Sequence, residues 1–77
     1  MQYFVKINTL PCEGEESTEL GGFNISAGNN VEAERKRERL VERFFAGKEQ
    51  DHSHTMWYYD HQYKDWVEMG TSSVVFN

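Results

Sequence analysis

Three histidines fall close together in the chain, His52, His54 and His61, with Asp51 and Asp60 beside them. Two histidines two positions apart on a strand turn their rings to the same face. A third imidazole, arriving from across a turn, would close a three-nitrogen metal site with one open coordination position. Against this, Lys48 to Ser53 is polar throughout and reads as a loop in which histidine is simply tolerated. The spacing matches no fixed zinc signature, and no neighbour is identifiable that would orient the rings. The sequence therefore assigns no metal and no cofactor.

Other candidate chemistry is thinner. Cys12 follows a proline in an acidic stretch, where nearby carboxylates disfavour the thiolate that a nucleophile needs. Glu13, Glu15 and Glu16 supply paired carboxylates, but acid/base catalysis needs them in a shaped, partly dry pocket with separated pKa values, which an acidic loop does not offer. Gly21, Gly22 and Gly28 lack the spacing and the lysine of a phosphate-cradling loop. No reaction class is supported, and the chain is expected to be non-enzymatic.

Binding surfaces are better represented. Glu34, Glu38 and Glu42 recur every four residues, as do Arg35, Arg39 and Arg43, so a helix carries them as two adjacent rows. Pairing across the rows, Arg35 with Glu38 and Arg39 with Glu42, would make a self-neutralised, solvated face. Unpaired, Arg35, Lys36, Arg39 and Arg43 would make a basic stripe for phosphates or an acidic surface. Trp57, Tyr59, Tyr63 and Trp66 form an aromatic cluster of the kind that anchors protein interfaces or stacks bases.

The elements that must position these groups follow from periodicity. Tyr3, Val5, Ile7 and Thr9 alternate with Phe4, Lys6, Asn8 and Leu10, which predicts a first strand ended by Pro11. After the acidic loop Cys12 to Glu19, Gly21-Gly22 leads into a short second strand, Phe23 to Ser26. Asn29 or Asn30 caps a helix from Val31 to Ala46, with Glu32 completing a capping box behind Asn29 and Gly47 as the stop. Its core stripe is Ala33, Arg37, Leu40, Val41 and Phe44, with Phe45 at the edge. Thr55 to Tyr59 and Trp66 to Met69 read as a hairpin turning through Asp60 to Asp65. Ser73 to Phe76 is a last strand or a tail that pairs only with a partner. The order predicts a single α+β domain, β-β-α-β-β, with one mainly antiparallel sheet and one amphipathic helix packed on one face.

Seventy-seven residues allow one small core, and a net charge of −5 sits on a body that is acidic outside the helix. A lone cysteine offers no internal disulfide, the first residues lack the pattern of a leader or anchor, and no apolar run approaches a membrane span. A reducing, cytoplasmic setting is expected. The leading expectation is a protein-binding module or small inhibitor. It presents an acidic surface (Glu13, Glu15, Glu16, Asp60 and Asp65) with aromatics within it (Trp57, Tyr59, Tyr63 and Trp66) to a basic, nucleic-acid-handling protein. Small size, acidity and the lack of catalytic groups resemble the general style of small phage-encoded inhibitors, some of which occupy basic grooves; the resemblance covers no motif. The alternative is a nucleic-acid-binding domain using Arg35, Lys36, Arg39 and Arg43 with Trp57 and Trp66. Homodimerisation through an open sheet edge is a further possibility.

Overall fold

In the structure, a computed structural model that describes residues 1–11 and 14–76, the first alternating run becomes strand β1 (Gln2–Thr9). Its inward residues Tyr3, Val5 and Ile7 are wholly buried. They form the floor of the core, between strands β2 (Glu19–Ser26) and β3 (His52–Asp60) and beneath helix α1 (Asn30–Phe45). Strand β4 (Asp65–Val74) completes an antiparallel sheet in the order β2-β1-β3-β4, with α1 over one face. The expected β-β-α-β-β domain is the observed one. Cys12 and Glu13 lie outside the described residues.

Strand β2 is longer than its sequence suggests, because Gly21 and Gly22 belong to it rather than to the loop before it. A side chain at Gly22 would come within 2.7 Å of the Phe4 ring, and one at Gly21 within 3.0 Å of Phe23 and 3.2 Å of Phe44. These glycines extend the strand and leave aromatic rings the space to lie across it. Strand β3 likewise begins at His52, so His52 and His54 stand in a strand and are buried, not in a polar loop. Ser73 and Val74, read as part of a separate strand or free tail, pair with Ser53 and His52 as the end of β4. A register shift at Met56/Trp57 lets β4 run on through Gly70, whose φ of 145° only glycine adopts readily.

Helix α1 starts where its cap requires. Asn29 Oδ1 accepts the Glu32 N–H at 2.9 Å, while the Glu32 carboxylate accepts from Gly28 N–H at 3.0 Å, one residue beyond the capping-box position. Lys36 pairs with the same carboxylate at 3.2 Å, and these contacts hold Glu32 below the usual carboxylate range. The Tyr3 hydroxyl donates to Asn30 Oδ1 at 2.8 Å and ties β1 to the first turn. Burial, with the Glu32 charge nearby, raises the Tyr3 phenol above its ordinary value. The helix closes with Ala46 in the left-handed region (φ 50°), its N–H donating to Glu42 O and Arg43 O.

The buried stripe of α1 is Ala33, Val41 and Phe45, rotated from the expected one. Leu40 is only half-buried and Phe44 is 38% exposed. The helix lies over β1 and β2, off the sheet's midline, so residues spaced by four (Ala33, Arg37, Val41, Phe45) point into the core while Leu40 and Phe44 overhang β2. Phe44 stacks edge-on against Phe23 and Phe45, at 5.7 and 5.0 Å.

Phe45→Ala is expected to cost about 3–5 kcal/mol, the usual range for a buried phenylalanine. Phe44→Ala should cost less than half as much, and equal losses in urea titrations would put the core stripe back on Phe44.

Candidate functional site

Among the described residues, no element lies over the face of the sheet opposite α1. In the observed register Phe4 and Lys6 of β1, Trp57 and Tyr59 of β3, and Trp66 and Glu68 of β4 turn outward there together. Phe4 stands 6.0 Å from Trp57 and 6.3 Å from Trp66, and Trp66 stands 5.3 Å from Tyr59, in tilted or edge-on geometry. Tyr59 continues the chain to His61 at 5.0 Å. Phe4, Lys6, Trp57 and Trp66 surround a shallow hollow of about 410 Å³. Trp66 is 41% exposed. Rings in edge contact lose little further freedom when a partner covers them, which is why such clusters suit interface centres.

Glu19 stands near Gly22 on this face, and Glu68 pairs across from Trp57, so two acids flank the aromatics. Lys6 is the cation among them. Phe4 was not among the candidate residues, although its place out of phase with Tyr3, Val5 and Ile7 marks it as outward-facing.

The other expected partner-binding residues are dispersed. Asp60 accepts the Gln62 and Tyr63 N–H groups at 2.8 and 3.3 Å, and Asp65 accepts from Trp66 N–H at 2.8 Å, so both carboxylates organise the β3–β4 turn. Tyr63, at that turn, is 74% exposed and stacks on no other ring among the described residues. Glu15 and Glu16 are exposed in the β1–β2 loop, at the far end of the sheet. The nine residues of β3 separate the two acidic groups by about 27 Å at roughly 3.4 Å per residue. Glu13 lies outside the described residues.

Arg35, Lys36, Arg39 and Arg43 are exposed on α1. The expected Arg35–Glu38 and Arg39–Glu42 pairs do not form: among the described residues the ion pair is Lys36–Glu32. Lys36, Arg39 and Arg43 border the β2 side of the helix, whereas Glu38 and Glu42 border the β4 side. These cations and the open-face aromatics lie on opposite sides of the sheet and do not form one surface.

His52 and His54 face α1, at the end of the sheet far from His61, so the three imidazoles are not brought together. Among the described residues no group of three or more histidine, cysteine or acidic side chains could hold a metal ion. His52 lies against Phe45 at 4.2 Å, and its Nδ1 is 2.8 Å from Gln50 O, which makes that nitrogen the donor. His52 Nε2, His54 Nδ1 and Arg37 Nε are buried without partners among the described residues. Burial first, then the Arg37 guanidinium and His52, holds His54 below the ordinary imidazole value. No helix among the described residues is long and apolar enough to cross a membrane. Compared with protein-family models, curated proteins and solved structures, the chain matches none.

His54 stays neutral in the fold at pH values where it is protonated in the unfolded chain. The unfolded state then binds the extra proton, so the His54 contribution is constant above the ordinary value of 6.5 and falls as pH drops below it. Thermal melting is expected to decline from about pH 7.5 to about pH 5.5, above the carboxylate range. His54→Leu should flatten that slope; an unchanged slope would assign it to another group.

Proposed function

We propose that this chain is a non-enzymatic binding module or small inhibitor that docks through the open face of its sheet onto a basic protein surface. The observation that carries the reading is the ring chain Trp57–Phe4–Trp66–Tyr59 on a face that α1 does not cover. Maintaining these aromatics toward solvent gives no benefit to the core, while tryptophan and tyrosine are enriched among the residues that dominate binding energy. The accessible surface supports it as well. A folded monomer of 9.1 kDa exposes about 4,900 Å², whereas this chain exposes 5631 Å².

Glu19 and Glu68 flank the rings, and Asp60 and Asp65 lie at the hairpin end, within a chain of net charge −5. Such a surface steers toward cationic partners and repels phosphate backbones. The aromatics would anchor the contact while the acids set its rate and orientation. A basic, nucleic-acid-handling protein, blocked in the manner of a phage inhibitor, fits this chemistry, and a cytoplasmic setting suits the lone cysteine.

The test uses a partner captured from the source cell and measured by surface plasmon resonance. Trp66→Ala should weaken binding by about 2 kcal/mol or more, chiefly through faster dissociation. Glu68→Lys and Glu19→Lys should slow association, and added salt should do the same to the parent. These two positions are better probes than Asp60 and Asp65, whose reversal would also disturb the turn. Retention of full affinity by both Trp57→Ala and Trp66→Ala, in variants that melt like the parent, would overturn the assignment of this face.

A further inference from the structure

The opposite side of the sheet carries a second surface of the other charge. Between α1 and the free edge of β2 runs a groove of about 720 Å³. Phe23, Ile25, Leu40 and Phe44 give it an apolar floor. Lys36, Arg39 and Arg43 line it from the helix. Lys36 is held by Glu32 and by Ser26 O at 2.6 Å, while no ion pair engages Arg39 or Arg43 among the described residues.

The backbone of β2 is arranged to accept a further strand. Met1 N donates to Ala27 O and Ala27 N to Met1 O, at 2.8 and 3.1 Å, so this is a hydrogen-bonded pair of the ladder between the two chain segments. Such pairs recur every second residue, so Ile25, Phe23 and Gly21 direct their amides and carbonyls to β1. Gly22, Asn24 and Ser26 direct theirs outward, along the groove. Their spacing of about 6.8 Å is that of alternate residues in any incoming strand. Strand β2 itself holds no proline and no lysine, and with the Ser26 carbonyl taken by Lys36 the edge left for a partner is at Gly22 and Asn24.

We infer that the β2–α1 groove takes an extended acidic segment of a partner protein, added as a fifth strand beside β2. Its backbone bonds to Gly22 and Asn24, its apolar side chains fall on Phe23, Leu40 and Phe44, and its carboxylates meet Arg39 and Arg43. Those arginines are one helical turn apart, about 6 Å along the axis, close to the spacing of alternate side chains on a strand. A second copy fits poorly. Two β2 edges paired about a two-fold axis would place both helices on one side, with Arg39 and Arg43 of each facing those of the other. A nucleic acid would engage the arginines but leave the strand edge and apolar floor without matching groups. This site is separate from the open-face reading and stands or falls independently of it.

The probe is a capped octapeptide whose alternate residues, all on one face of a strand, read valine, glutamate, glutamate, valine, with threonine between them, titrated into the isotope-labelled full chain and followed by amide shifts and hydrogen exchange. Binding should slow exchange of the Gly22 and Asn24 amides and weaken with salt. Arg39→Glu with Arg43→Glu should lower affinity at least tenfold. Asn24→Pro should abolish binding in a chain that still melts cooperatively, because that N–H points away from β1 and proline is tolerated at such edge positions. If Asn24→Pro does not fold, the exchange data on the parent decide. The inference is overturned if Gly22 and Asn24 exchange at the same rate with saturating peptide. It is equally overturned if the same octapeptide with lysine in place of glutamate, or a single-stranded oligonucleotide, binds as well as the acidic peptide. Protection of the same amides without peptide, rising with protein concentration, would assign the edge to a second copy instead.

Discussion

One sixteen-residue helix has to shield a four-stranded sheet, and the rest of the molecule is arranged around that shortage. A helix about 10 Å across spans roughly two strand spacings of about 4.8 Å. Helix α1 meets this limit by sitting over β1 and β2, where Tyr3, Val5, Ile7 and Ile25 bury fully or nearly so. The β3 side of the same face is closed differently. His52 packs on Phe45, and Val74 at the end of β4 and Phe76 just beyond it border the remaining hollow with Val41. Two imidazoles stand there in place of aliphatic residues, and the nitrogens of His52, His54 and Arg37, without partners among the described residues, make this the polar part of the interior.

The same shortage creates the surfaces. With nothing among the described residues over its second face, the sheet turns Phe4, Trp57, Tyr59 and Trp66 outward, and the rings shelter one another by edge contacts. Gly22 contributes by being absent as a side chain, since any Cβ there would strike the Phe4 ring. On the helix side, the off-centre placement leaves a groove along β2, where Leu40 and Phe44 overhang the edge instead of reaching the core. Charge follows the geometry: the helix acids Glu38 and Glu42 fall on the β4 flank, and Lys36, Arg39 and Arg43 on the β2 flank. A helix whose charges looked self-neutralising thus presents opposite signs on its two sides.

Much of this was legible in the residues. Strict alternation from Tyr3 to Thr9 gave β1 its face, Asn29 or Asn30 and Gly47 marked the helix ends to within a residue, and the alternation of Met56 and Tyr58 with Trp57 and Tyr59 gave β3 its two sides. These are signals carried by nearest neighbours, through side-chain direction and backbone capping, so they can be read without knowing what lies across the sheet. The type of fold followed from the order of the elements.

What needed the tertiary structure were the quantities set by partners distant in the chain. Whether α1 buries Phe44 or Phe45 depends on where it lies across the sheet, a lateral shift that helical periodicity does not encode. Gly21 and Gly22 read as a loop because glycine carries no strand preference of its own. Their place in β2 is decided by the rings of Phe4, Phe23 and Phe44 that need the space. His52 and His54 look like loop residues because their burial comes from a helix lying earlier in the chain. Phe4 joins Trp57 and Trp66, some fifty to sixty positions away, only through the β1–β3 and β3–β4 registers. Local pattern determined the elements and their faces, while long-range register and the position of one helix decided which side chains meet and which remain exposed to meet something else.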